Sequence, residues 1–202
     1  VNLDTVAAVT PRQDGMVSIH SEGYAPMAVS LDDLSVHEDE KGTTAALVRG
    51  VAAKMKELGY KVGGFDASVT STVFKGSGLS SSAAFEVMLV AAFDALYNGW
   101  TIDAKLNARI SQYAENVYVG KPSGLLDQSA SAVGGLVTID FGPENPVVEA
   151  LNYDFGAKGY AVCVVSAGGE HGNLTADYAA IPAEMKAVAK LMGKEVLCGI
   201  TG

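Results

Sequence analysis

The sequence predicts an α+β fold with helices layered on one sheet. Three observations carry this. The opening residues read as short strands broken by turns, "VNLDTVAAV", "MVSIHSEGY" and "MAVSL", an antiparallel run that argues against a doubly wound parallel sheet. Three later segments, 43–58, 80–97 and 103–118, repeat their apolar positions at helical spacing. Strand-like runs then return in "LVTIDF" and "VVEAL", joined by the turn "GPENP".

Each element has its own signal. "TPRQDG" separates the first two strands, and "EDEKG" is a solvated charged loop. Between Thr43 and Leu58 the residues Ala46, Leu47, Val51, Met55 and Leu58 line one helix face, and Gly59 is a natural stop. "GGFDASVTSTVF" is β-rich. Residues 80–97 are apolar on nearly all sides, which places that helix centrally. In 103–118 the stripe is Leu106, Ile110, Tyr113 and Val117. Glu115 falls on the opposite side, beside Ala104, Ala108 and Ser111, small residues that allow another element to approach closely. "GLLDQSASAVGG" predicts a short helical turn ending in paired glycines. "YAVCVVSA" predicts a buried strand, and "TADYAAIPAEMKAVAKLMG" a helix with Pro182 near its first turn. A domain boundary is expected within "NYDFGAKG", residues 152–159.

Composition narrows the function classes. The chain has 202 residues, 49% of them hydrophobic, enough for one large domain or one domain and part of another. A formal net charge of -9 argues against a nucleic-acid or anionic-membrane surface. The most apolar run, Val87 to Tyr97, is too short for a membrane span and is interrupted by Asp94. No secretory signal is visible. Cys163 and Cys198 are far apart and are expected to be buried, reduced thiols. His20, His37 and His171 are too scattered for a histidine metal site. The chain opens on strand pattern without an initiator Met and stops at "GITG", so a fragment of a longer protein is expected.

The chemistry concentrates in "KGSGLSSSAAFE", residues 75–86. Glycine gives backbone freedom and close approach, and a helix N-terminus gives unpaired N–H groups and partial positive charge; together they make an anion site, typically for phosphate. Serine hydroxyls add hydrogen bonds or reach a Mg²⁺ ion. GxxxxGK[ST] is absent, so the loop is not a Walker A motif. The competing reading is a glycine turn followed by a serine N-cap, for which one serine would suffice. There is no capping box, because Ser82 and Glu86 are four residues apart rather than three.

"GSGLSSSAA" resembles the second signature of the GHMP kinases, a family of small-molecule kinases. Phe74 stands where a proline often precedes the loop. "AENVYVGKPSGLLDQSASAVGG" is similar to the galactokinase branch in particular, where two residues separate the second glycine from an aspartate followed by glutamine, here Gly124, Asp127 and Gln128. "HGNLTADYAAIPAEMKAVAKLMGKE" resembles that branch's segment with a sugar-contacting tyrosine, here Tyr178.

The resemblance implies an N-domain with a left-handed βαβ unit over residues 1–154, lacking its N-terminal sugar-binding motif. It also implies the beginning of a ferredoxin-like C-domain over 155–202. The implied activity is transfer of the γ-phosphoryl of ATP to the anomeric hydroxyl of galactose, in the cytoplasm, with ATP and Mg²⁺ as cofactors and no nucleic-acid or membrane partner. Lys75, Gly76, Ser77, Gly78, Leu79, Ser80, Ser81 and Ser82 would hold phosphate, Ser82 and Glu115 the metal. Asp127 would be the catalytic residue, and Gly124, Asp127 and Tyr178 would meet the sugar. Lys121 also lies close to both loops, where it meets phosphate or is simply solvated. The fragment alone is expected to be inactive. The alternatives are another GHMP kinase, such as an N-acetylgalactosamine kinase, or a non-catalytic sugar sensor on the same fold; intact "SSSAA", Glu115 and Asp127 argue against the sensor.

Overall fold

The computed structural model describes residues 3–73, 76, 78–143, 145–165, 175–198 and 200, without the side chains of residues 175 and 176. Four strands form the main sheet: β1 (Thr5–Pro11), β2 (Met16–Ser21), β3 (Met27–Ser30) and β4 (Phe65–Ser71). Their spatial order is β1-β4-β2-β3. β4 runs antiparallel to β1 and parallel to β2, with Val17 opposite Phe65 and Ile19 opposite Ala67. The sheet is therefore mixed. Alternation explains its sidedness: Val17, Ile19, Phe65, Ala67 and Val69 point into the core, while Ser18, Asp66, Ser68 and Thr70 do not.

Helices cover the apolar face. α1 (Thr44–Glu57) starts where the Thr43 side chain accepts a hydrogen bond from the Ala46 N–H, and it buries Val48, Val51, Ala52 and Met55. α2 (Ser81–Tyr97) is the central helix that its all-round apolarity predicts, and Phe93 meets Phe65 edge to face, with ring centroids 5.1 Å apart. At its end the buried carboxylate of Asp94 accepts from the backbone N–H groups of Thr101 and Ile102 at 3.0 and 2.9 Å, which turns the chain into the next helix.

The segment expected as one helix over 103–118 divides in two. α3 (Ala104–Tyr113) is capped by Asp103, and a π-helical turn follows over Ala114–Val119, closed by Gly120 with φ of +78°. Its wider i→i+5 geometry shifts the phase of the stripe. Val117, expected inside, is 40% exposed, and Tyr118 is buried instead at 6%. The small-residue side does admit a neighbour. A Cβ on Gly50 of α1 would lie 2.8 Å from the Cα and Cβ of Ala114, so only glycine allows this approach.

α4 (Leu126–Val133) packs on α2 and α3 and leads into a separate two-stranded sheet, β5 (Leu136–Asp140) with β6 (Val147–Leu151). Two expectations fail beyond it. Residues 160–165 of the "YAVCVVSA" segment form no strand; they are exposed, and among the described residues no partner strand completes a ladder with them. Cys163 and Cys198 are free thiols as expected, but exposed rather than buried, because no layer of the fold covers those segments. The helix expected near the end is present as α5 (Thr175–Leu191), with Pro182 inside it. Among the described residues no helix is long and apolar enough to cross a membrane.

Candidate active site

The loop before α2 has the backbone of a ligand cradle. Gly76 and Gly78 take left-handed φ values of +78° and +74°. Ser80 does so too, at +58°, a conformation that costs a non-glycine residue about 1–2 kcal/mol. Ser80 makes no side-chain hydrogen bond to cap the helix, so capping does not account for the serine run. Ser81 and Ser82 occupy the first turn of α2, half-buried. Lys75 and Ser77 lie outside the described residues.

Ser82 points across to the π-helical turn. Its Oγ donates to Oε1 of Glu115 at 3.2 Å, joining residues 33 positions apart. Lys121 Nζ donates to the same oxygen at 2.8 Å. Burial pulls the Lys121 ammonium down, but the carboxylate beside it outweighs that and leaves its pKa raised. The other oxygen, Oε2, accepts from Nε2 of Gln128 at 2.7 Å, and that nitrogen also donates to Oε2 of Glu86 at 3.2 Å. Glu86 and Gln128 are fully buried and Glu115 nearly so. Burial pushes the Glu86 carboxyl up to about 8, with the nearby Glu115 charge adding to the effect. Among the described residues, three buried atoms on these elements lack a partner: Glu86 Oε1, Gln128 Oε1 and Ser129 Oγ.

The loop between the π-helical turn and α4 is tied down. Asn116 Oδ1 accepts from Ser123 N and Oγ at 2.7 and 3.1 Å, while Ser123 O accepts from the amides of Gln112 and Asn116. This fixes the approach to α4, whose first turn carries Asp127, exposed, next to buried Gln128. Gly124 is exposed, and a Cβ there would meet nothing within 4 Å, so its backbone is open to a ligand. The structure joins Ser82 in the first turn of α2 to Glu115 of the π-helical turn, and Gln128 of α4 to the same carboxylate. Asp127 lies directly before Gln128, Gly124 three residues before Asp127, and Gly76, Gly78, Ser80 and Ser81 in the loop and turn just before Ser82. Leu79 lies half-buried in the same loop. Tyr178 makes no hydrogen bond to this cluster among the described residues; it stands exposed on α5.

Residues 46–135 match the GHMP kinases N terminal domain, a span that holds the serine loop, Glu115, Gly124 and Asp127. The chain carries a GHMP kinase N-terminal domain. The relatives of this GHMP kinase domain include galactokinases. That of Streptomyces coelicolor is 35% identical over 201 residues, covering 95% of this chain and 50% of the relative. That of Pyrococcus furiosus is 30% identical over 204 residues, covering 96% and 53%. The crystal structure of Lactococcus lactis galactokinase complexed with galactose superposes with a TM-score of 0.60 at 26% identity, covering 69% of this chain and 36% of that one. A mevalonate kinase shares the fold at a TM-score of 0.61 and 15% identity. The chain spans about half the length of the curated relatives it matches.

Reading the sequence alone misses Glu86, the buried role of Gln128, the Lys121–Glu115 ion pair and the Asn116 brace. One signal pointed to the first: Glu86 lies four residues after Ser82, on the same face of a helix otherwise nearly free of charge. The other three join a helix or its π-helical continuation to a loop or the next helix, and no periodicity encodes such contacts.

Proposed function

We propose that the intact protein is a galactokinase, moving the γ-phosphoryl of ATP to the anomeric hydroxyl of galactose. The observation that carries this reading is the meeting of Ser82 and Glu115, 3.2 Å apart, at a glycine-flanked helix N-terminus that the Ser80 side chain does not cap. Similarity to galactokinases over nearly the whole chain supports the sugar.

The donor set suits Mg²⁺, a hard cation that takes one or two protein oxygens and completes its shell with water and phosphate. Among the described residues no group of three or more His, Cys, Asp or Glu side chains converges as a cage, which such a site does not need. Ser82 and Glu115 would hold the ion, and when bound it neutralises charge on the transferring phosphates. The glycine loop 75–80 and the first N–H groups of α2 bind phosphate oxygens. Asp127 accepts the proton of the anomeric hydroxyl as its oxygen bonds to γ-phosphorus and the bond from that phosphorus to the ADP oxygen breaks. Gly124 lets the sugar approach backbone, and Tyr178 contacts it from α5. This reading assigns residues 1–154 to the N-domain with its left-handed βαβ unit, and 155–202 to the beginning of the ferredoxin-like C-domain, in a cytoplasmic enzyme.

The test is ADP release by the intact protein across a panel of monosaccharides, with galactose expected as the preferred acceptor. Asp127→Asn is expected to lower kcat by about 10²- to 10⁴-fold, the usual contribution of a positioned base, with ATP binding little changed. Near-normal turnover in that variant would remove Asp127 from the chemistry, and preference for N-acetylgalactosamine would move the enzyme to the neighbouring specificity.

A further inference from the structure

The two oxygens of Glu115 have different neighbours. Oε1 accepts from Ser82 Oγ and Lys121 Nζ, whereas Oε2 accepts from the Gln128 amide nitrogen. A glutamine amide nitrogen has two hydrogens. Both are used here, one on Glu115 Oε2 at 2.7 Å and one on Glu86 Oε2 at 3.2 Å. Turning the amide over would set its carbonyl oxygen against the acceptor-only Glu115 carboxylate in a buried site, so that carboxylate fixes its orientation. Without Glu86, the second hydrogen would be buried and unpaired, which loosens the hold on the amide.

We infer that Gln128, held in place by Glu86, is a positioning residue that ties down Oε2 of Glu115 and so presents Oε1 alone beside Ser82. This rests on the reading of Glu115 as a metal ligand. Glu86 serves as a hydrogen-bond acceptor rather than as a second anion. Among the described residues its buried Oε1 has no partner, which costs a neutral carboxyl far less than a charged one. The raised pKa of Glu86 agrees. Gln128 also follows Asp127 directly at the start of α4, so the same contact fixes where that helix begins relative to the metal carboxylate.

The test is titration of the intact protein with Mn²⁺ in the presence of ADP, followed by the paramagnetic resonance signal of free Mn²⁺, with galactose affinity measured in parallel. Gln128→Met keeps length and removes the donor. It is expected to weaken Mn²⁺ binding about 10- to 100-fold, the usual effect of losing the partner of a metal ligand, while galactose affinity holds. Glu86→Met is expected to weaken it as well. Glu86→Gln, which still offers an acceptor to Gln128, is expected to stay close to wild type. Wild-type Mn²⁺ affinity in Gln128→Met, alongside a loss in Glu115→Gln, would overturn the inference and leave the metal reading standing. Unchanged affinity in Glu115→Gln would overturn the metal reading, and this inference with it. If Gln128→Met does not fold, the Glu86 pair decides alone, because equal affinities in Glu86→Met and Glu86→Gln would overturn the clamp.

Discussion

Glu86 is an acid placed where no water reaches it, and this gives it a thermodynamic signature. Its carboxyl rises from 4.5 to about 8 on folding, chiefly through burial. The folded state therefore keeps this proton after the unfolded chain has lost it. The stability it contributes is complete below pH 4.5 and is lost as pH rises through about 8. Glu86→Gln is neutral at every pH. In urea denaturation its stability should exceed that of wild type by an amount that grows across this window, and parallel curves would show that Glu86 is ionised in the fold. The meeting of Ser82 and Glu115 was within reach of the sequence, because both stand in motifs at recognisable spacings. Glu86 and Gln128 sit in contexts that read as ordinary helix, and what makes them special is the contact between them. The opposite holds for Tyr178, legible by resemblance but exposed on α5 rather than gathered into the cluster.

At the scale of elements, apolar period located the four longer helices and the β5–β6 hairpin, because burial on one face writes itself into spacing. It could not locate the π-helical turn. One turn of altered pitch moves the pattern by a single position, which in 103–118 exchanges Val117 for Tyr118, while before it Ile110 is buried and Leu106 and Tyr113 are half-buried. That turn brings Glu115 to Ser82, and its fit against α1 depends on Gly50. Adding a methyl there, as Gly50→Ala, should destabilise the protein by about 1–3 kcal/mol, as overpacking commonly does. The same change in a double mutant with Ala114→Gly should cost less than the sum of the two, because both alter one contact. Chemical denaturation of the four proteins gives the cycle, and strict additivity would mean that the two helices part to accept the methyl.

For the whole molecule, the sheet and its helical layer were legible as a class, but the order of the strands was not, since pairing between distant segments leaves no mark in either one. The strand expected in 160–165 shows the same limit from the other side, as its apolar composition is real and a ladder for it is missing among the described residues. α5 carries Tyr178, Ile181, Met185 and Val188 in one helical stripe, each about half exposed. Residues 1–202 expressed alone should therefore self-associate with rising concentration in analytical ultracentrifugation, and Val188→Lys should reduce this. A monomer at all concentrations would show that the stripe is covered in solution. The strand order also has a consequence for biosynthesis. β4, the partner of β1 among the described residues and the parallel neighbour of β2, is the last of the four to be made. Of the pairings among the four described strands, a nascent chain that ends before residue 65 can form only the β2–β3 hairpin. Emergence of one seven-residue strand then lets the whole sheet form together, which makes residues 65–71 the step on which the timing of folding turns.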